Sequence, residues 1–95
     1  MNKYEVTVIL SAKLEEEART ENLEKIKGSI SRDNGTVGDV EEWGKRKLAY
    51  EIQHQTEGFF YLINFEGDQT TPNGLEAELR ILEPVLRYLV VRKAD

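Results

Sequence analysis

The chain has 95 residues, 39% of them apolar and 33% charged, with 18 acids against 13 lysines and arginines for a net charge of −5. That size supports one domain over residues 1–95 with a single core, and the acidic balance argues against a general nucleic-acid binder, whose domain is ordinarily basic. The lack of cysteine excludes disulfide frameworks, thiolate metal sites and thiol nucleophiles. No apolar run reaches the roughly 18 residues that span a bilayer, and the first residues lack a signal-peptide pattern, so a cytoplasmic protein with no membrane partner is expected.

Tyr4 to Leu10 alternates, with Val6, Val8 and Leu10 on one face and Glu5, Thr7 and Ile9 on the other. This predicts a first strand with the even set toward the core. Ser11 offers a helix N-cap, and Glu15, Glu16 and Glu17 follow where negative charge favours the positive end of a helix. Leu23, Ile26 and Ile30 recur at helical spacing, with Leu14 and Ala18 as outer members, and Asn34-Gly35 supplies a left-handed stop.

A second strand is expected from Thr36 to Ile52. Val37 and Val40 are three apart, so both reach the core only if the ladder slips near Gly38, and Gly44 marks a further bend. Past the bend Leu48, Tyr50 and Ile52 share a face with Arg46, while Trp43, Lys45 and Lys47 take the other. Residues 53–57 read as a polar hairpin connection, and Gly58 to Phe65 as a strand apolar on both parities, hence central. Pro72 suits the first turn of a second helix whose buried face is Leu75, Leu79 and Leu82 and which Pro84 ends. Val85–Arg92 closes the chain as a fourth strand.

The order β-α-β-β-α-β predicts an α+β fold in the split β-α-β arrangement: a four-stranded antiparallel sheet, order 4-1-3-2, with two helices on one face. The other face is left for a partner.

Catalytic chemistry finds no support. His54 is the only histidine, set in a predicted turn without a companion acid or cysteine, and no nucleophile elbow or phosphate-binding glycine loop occurs. Glu15, Glu16, Glu17, Glu21 and Glu24 read as a solvated helix face. No catalytic residue, metal, cofactor or small-molecule substrate is expected. Gly58-Phe59-Phe60-Tyr61 superficially matches the glycine-aromatic signature of the RNA-recognition motif. Glu57 precedes it, however, and Glu5 stands where strand one would carry a stacking aromatic, so carboxylates would repel phosphate there. A ligand-sensing regulatory domain of the same topology is a second rival.

The cations fall on Lys3, on Lys45-Arg46-Lys47 and on Arg87, Arg92 and Lys93. Cations at a sheet edge discourage aggregation; a functional reading needs an anionic partner. The second and fourth strands lie at opposite edges, so one continuous patch is not implied. A few phosphate contacts would give salt-sensitive binding that requires a second protein alongside.

Tyr4-Glu5, the run Val40 to Ile52 with Glu42, Gly44, Arg46 and Leu48 to Tyr50 at its centre, Gly58 to Tyr61 and Leu79 to Val91 together resemble the bacterial ribosomal protein S-six family, over essentially the whole chain. The resemblance implies a ferredoxin-like fold and a structural, non-enzymatic role in the 30S subunit. It also implies binding to the central domain of 16S ribosomal RNA together with ribosomal protein S-eighteen, a basic neighbour. On face parity, phosphate contacts are expected among Lys3, Lys45, Arg46, Lys47, Arg87, Arg92 and Lys93, and a partner-protein surface at Trp43 and Phe59.

Overall fold

Alternation, helical spacing and a few glycines set the element boundaries of the computed structural model, which describes residues 2–93. The elements are β1 (Asn2–Ser11), α1 (Glu16–Arg32), β2 (Thr36–Ile52), β3 (Gln55–Gly67), α2 (Thr70–Ile81) and β4 (Val85–Arg92). All neighbouring strands pair antiparallel in the order β2-β3-β1-β4. This is the ferredoxin-like arrangement, with β2 and β4 at the edges as expected.

Val6, Val8 and Leu10 of β1 are wholly buried, and they join Tyr61, Ile63 and Phe65 of β3 beneath Leu23, Ile26 and Ile30 of α1 and Leu75 and Leu79 of α2. Tyr4 stacks on Phe65 at 5.3 Å between ring centroids. Because paired residues of a sheet share a face, the odd residues of β1 and the even residues of β3 look away from the helices.

Ser11 does not cap α1. It ends β1, where its hydroxyl donates to Gln55 Oε1 at 2.9 Å and accepts from the Lys13 N–H. Gln55 Oε1 also accepts from the Ala12 N–H, so the serine is engaged across the sheet. Helix α1 starts four residues later than that cap would place it, with Glu15 at the N-cap position and Glu16 and Glu17 in the first turn. At its other end Asn34 takes the left-handed conformation (φ 65°), and the Gly35 N–H donates to Ile30 O at 2.8 Å. Gly35 serves by its small size: a Cβ there would lie 2.5 Å from Thr71 Cγ2.

The slip near Gly38 is present. Val37 pairs with Phe65 and Val40 with Ile63, three residues against two, so both valines reach the core. A second bulge at Trp43 is relieved by Gly44 at φ +80°. The hairpin connection is tighter than the sequence suggests. Gln53 and His54, both left-handed, turn the chain in two residues, and β3 begins at Gln55. Helix α2 carries Pro72 in its first turn, and the Asp68 carboxylate accepts from the Thr70 N–H at 2.9 Å.

Candidate nucleic-acid interface

The expected cations are sorted by the pleat and by the bulges of β2. Lys45 is opposite Phe59 and Lys47 opposite Glu57, which puts both on the helix-bearing side; Arg46 is opposite Gly58 and looks out of the helix-free side. On β4, Arg87 is paired with Ile9 and shares the helix-free side, whereas Arg92 is paired with Tyr4 and shares the helix side. Arg87 and Arg92 are five residues apart, which is about 17 Å along a strand.

The cations therefore gather at two ends of the sheet. One group is Lys3, Arg92 and Lys93. Here the Lys93 N–H donates to Lys3 O at 2.8 Å, its ammonium donates to Asn64 Oδ1 at 2.8 Å, and Arg92 Nη2 donates to Asn2 Oδ1 at 2.9 Å. Lys93 also lies 3.9 Å from Glu5 Oε2, a half-exposed contact of little energetic weight. The other group is Lys45, Arg46 and Lys47 at the hairpin, and Arg87 joins it. The tyrosine hydroxyl of Tyr50 accepts a hydrogen bond from Arg87 Nη1, and the guanidinium carbon stands 5.8 Å from the Tyr50 ring centroid. The end of β2 thus folds across the helix-free face as far as the opposite edge strand. Tyr50 is not singled out by sequence as a candidate; its signals are the alternation it shares with Leu48 and Ile52 and its place in the Leu48-to-Tyr50 centre of the resemblance.

The two aromatic candidates occupy different environments. Trp43 is 40% exposed at its bulge, and Arg46 lies 5.4 Å from its ring while donating to its carbonyl oxygen. Phe59 is half-buried on the helix side, with the Arg19 guanidinium 3.9 Å from its centroid and the Lys45 ammonium 5.6 Å. Arg19 donates to Leu14 O at 2.8 Å and so holds the start of α1 against the hairpin. Burial pushes the neighbouring Tyr61 phenol above its ordinary range, with Arg19 drawing it partly back.

On the helix-free face the aromatic of β3 is Phe60, half-buried in a depression it shares with Ile9, Leu48 and Tyr50. A base-stacking platform would need that ring open, and Glu5 beside Lys93 keeps a carboxylate on the same face. Besides Tyr50, the exposed apolar residues there are Leu89 and Val91, on β4. No helix among the described residues is long and apolar enough to cross a membrane.

Residues 3–92 match the family model described as ribosomal protein S6. The chain belongs to the ribosomal protein S6 family. This is a family of ribosomal structural proteins and not an enzyme class, as the resemblance over essentially the whole chain implies. Among its members, the small ribosomal subunit protein bS6 of Alkaliphilus metalliredigens is 47% identical over 92 residues, covering 97% of each chain. The bS6 protein of Alkaliphilus oremlandii is 44% identical over 92 residues with the same coverage. The crystal structure of 30S ribosomal protein S6 from Thermotoga maritima superposes with a TM-score of 0.92 at 31% identity, covering 97% of this chain and 87% of that one. The family's fold and the one derived above are the same.

Proposed function

We propose that the protein is a structural constituent of the 30S subunit that binds the central domain of 16S ribosomal RNA beside a basic partner, ribosomal protein S-eighteen. It would reside on cytoplasmic ribosomes, without cofactor, membrane or small-molecule substrate. The observation that carries this reading is the gathering of seven cations at two ends of one sheet in a chain of net charge −5. Family membership and the names of the relatives support it.

Two short cationic groups give RNA only a few phosphate contacts, so the bound state is weak and salt-sensitive unless a second protein lies alongside. The acidic outer face of α1 favours a basic partner electrostatically. Trp43 at its bulge, with the accessible edge of Phe59, offers an aromatic anchor of the kind that concentrates binding energy at protein interfaces.

Filter binding to a central-domain RNA fragment, across a salt series and with the partner present, tests the reading. Lys47→Ala and Arg87→Ala should each flatten the slope of log K against log salt by roughly 0.7–0.9, the counterions released per phosphate contact. Unchanged slopes would count against these residues. Tight binding by the isolated chain in high salt would count against the dependence on a partner. Failure to co-sediment with 30S subunits would end the proposal.

A further inference from the structure

The pairing of β2 with β3 runs to Lys47↔Glu57 and resumes only at Ile52↔Gln55. Four residues of β2 (48–51) therefore stand against one of β3, and the surplus arches over the helix-free face, where Leu48 and Tyr50 line a depression with Ile9, Phe60 and Arg87. Tyr50 is 57% exposed there, so the phenol is not held in place by burial. It accepts a hydrogen bond from Arg87 with its ring beside the guanidinium. Among the described residues Arg87 has no carboxylate partner; the ion pairs involve Lys27, Arg32 and Lys93. Arg46, on the opposite edge strand three strand spacings away and one same-face step nearer the hairpin, is held in the same manner, over Trp43 and on that residue's carbonyl oxygen.

We propose that Tyr50 is a positioning residue for RNA: its hydroxyl fixes the orientation of Arg87, so that Arg87 and Arg46, from opposite edges of the sheet, meet the same stretch of phosphate backbone. The inference rests on the RNA-binding reading above. A guanidinium carries five N–H donors. The phenol engages Nη1, and the remaining edge is open to bidentate contact with phosphate oxygens. A carboxylate in place of the phenol would cancel the charge that the phosphate is meant to meet. A neutral acceptor orients the side chain and leaves its charge intact.

Tyr50→Phe keeps the ring and removes the hydroxyl. With the partner protein present, it should weaken RNA binding by about two- to tenfold, the range expected from returning one long side chain to rotamer freedom. It should leave the salt slope unchanged, because Arg87 still reaches the phosphate. Arg87→Gln should weaken binding and also flatten the slope, and the double variant should bind no worse than Arg87→Gln alone. In the free protein, guanidinium NMR relaxation should show an Arg87 Nε–H that is ordered in the unsubstituted chain and mobilised by Tyr50→Phe. Independent, multiplying losses for the two substitutions would overturn the inference, as would an Arg87 equally mobile in both proteins. An unsubstituted chain that binds no RNA beside its partner would remove the underlying reading, and this one with it.

Discussion

Gly58→Ala should destabilise the fold by about 1–2 kcal/mol, even though this glycine needs no left-handed backbone. An added Cβ would stand 2.6 Å from Ile9 Cγ2 and 3.1 Å from Leu10 O. Ile9 is only 8% exposed and is branched at Cβ, so its Cγ2 can move away only by leaving its preferred χ1 rotamer. Overpacking of this size costs about 1–3 kcal/mol, and the stiffer unfolded chain of alanine offsets about 0.5–1 kcal/mol of it. At a urea m-value of about 1 kcal/mol/M, the midpoint should fall by about 1–2 M with m unchanged. Gly28→Ala is the internal control: it is exposed within α1 and nothing lies within 4 Å of its added Cβ. It should raise stability by about 0.8–1 kcal/mol. Ile9→Leu removes the methyl that clashes and should restore part of the loss in the Gly58→Ala background. Gly58→Ala as stable as the unsubstituted chain, or a double variant no better than the single, would refute the steric account.

Arg19→Met should cost about 1–2 kcal/mol in the same denaturation assay, from the cation–π contact with Phe59 and the hydrogen bond to Leu14 O. Phe65→Ala should cost about 3–5 kcal/mol and lower the thermal midpoint steeply, since a ring 2% exposed and stacked on Tyr4 leaves a cavity. The Asp68 carboxylate is held below its usual range first by the Thr70 hydroxyl and then by the Thr70 N–H. Its stabilisation is therefore complete above the unfolded carboxylate pKa of about 3.9 and is lost as pH falls through the lower folded value. Thermal melts from pH 7 down to acid should show a shallower decline for Asp68→Asn than for the unsubstituted chain; parallel declines would reject the assignment.

Local pattern accounts for most of the architecture. The alternation of Val6, Val8 and Leu10 and the spacing of Leu23, Ile26 and Ile30 each name a face that is buried, and the three-residue step from Val37 to Val40 names a pair that packs half-buried against the core. Ser11 shows where such reading stops. Its helix-cap chemistry is genuine, but a glutamine 44 positions away supplies a competing acceptor, and sequence proximity says nothing about that. The candidate interface follows the same rule. Lys45 and Lys47 separate from Arg46 by simple parity, whereas the union of Arg87 with the hairpin group depends on the arch of β2 and a side-chain contact spanning 37 positions. Opposite-edge topology alone leaves those cations apart. Phe59, assigned to a partner surface by parity, is half-covered because Arg19 of α1 lies over it.

Thr71, wholly buried, donates its hydroxyl to Asp33 O at 2.6 Å and fills with its methyl the space that Gly35 leaves empty. One threonine thereby rivets the stop of α1 to the start of α2. The helical layer is pinned at that corner, while the hairpin corner is tied by Gln55 to Ser11 and Ala12, by Arg19 over Phe59 and by the contact of Tyr50 with Arg87. The chain is thus clasped near both ends of the sheet by side-chain hydrogen bonds between distant residues, one bridging 38 positions and the other 44.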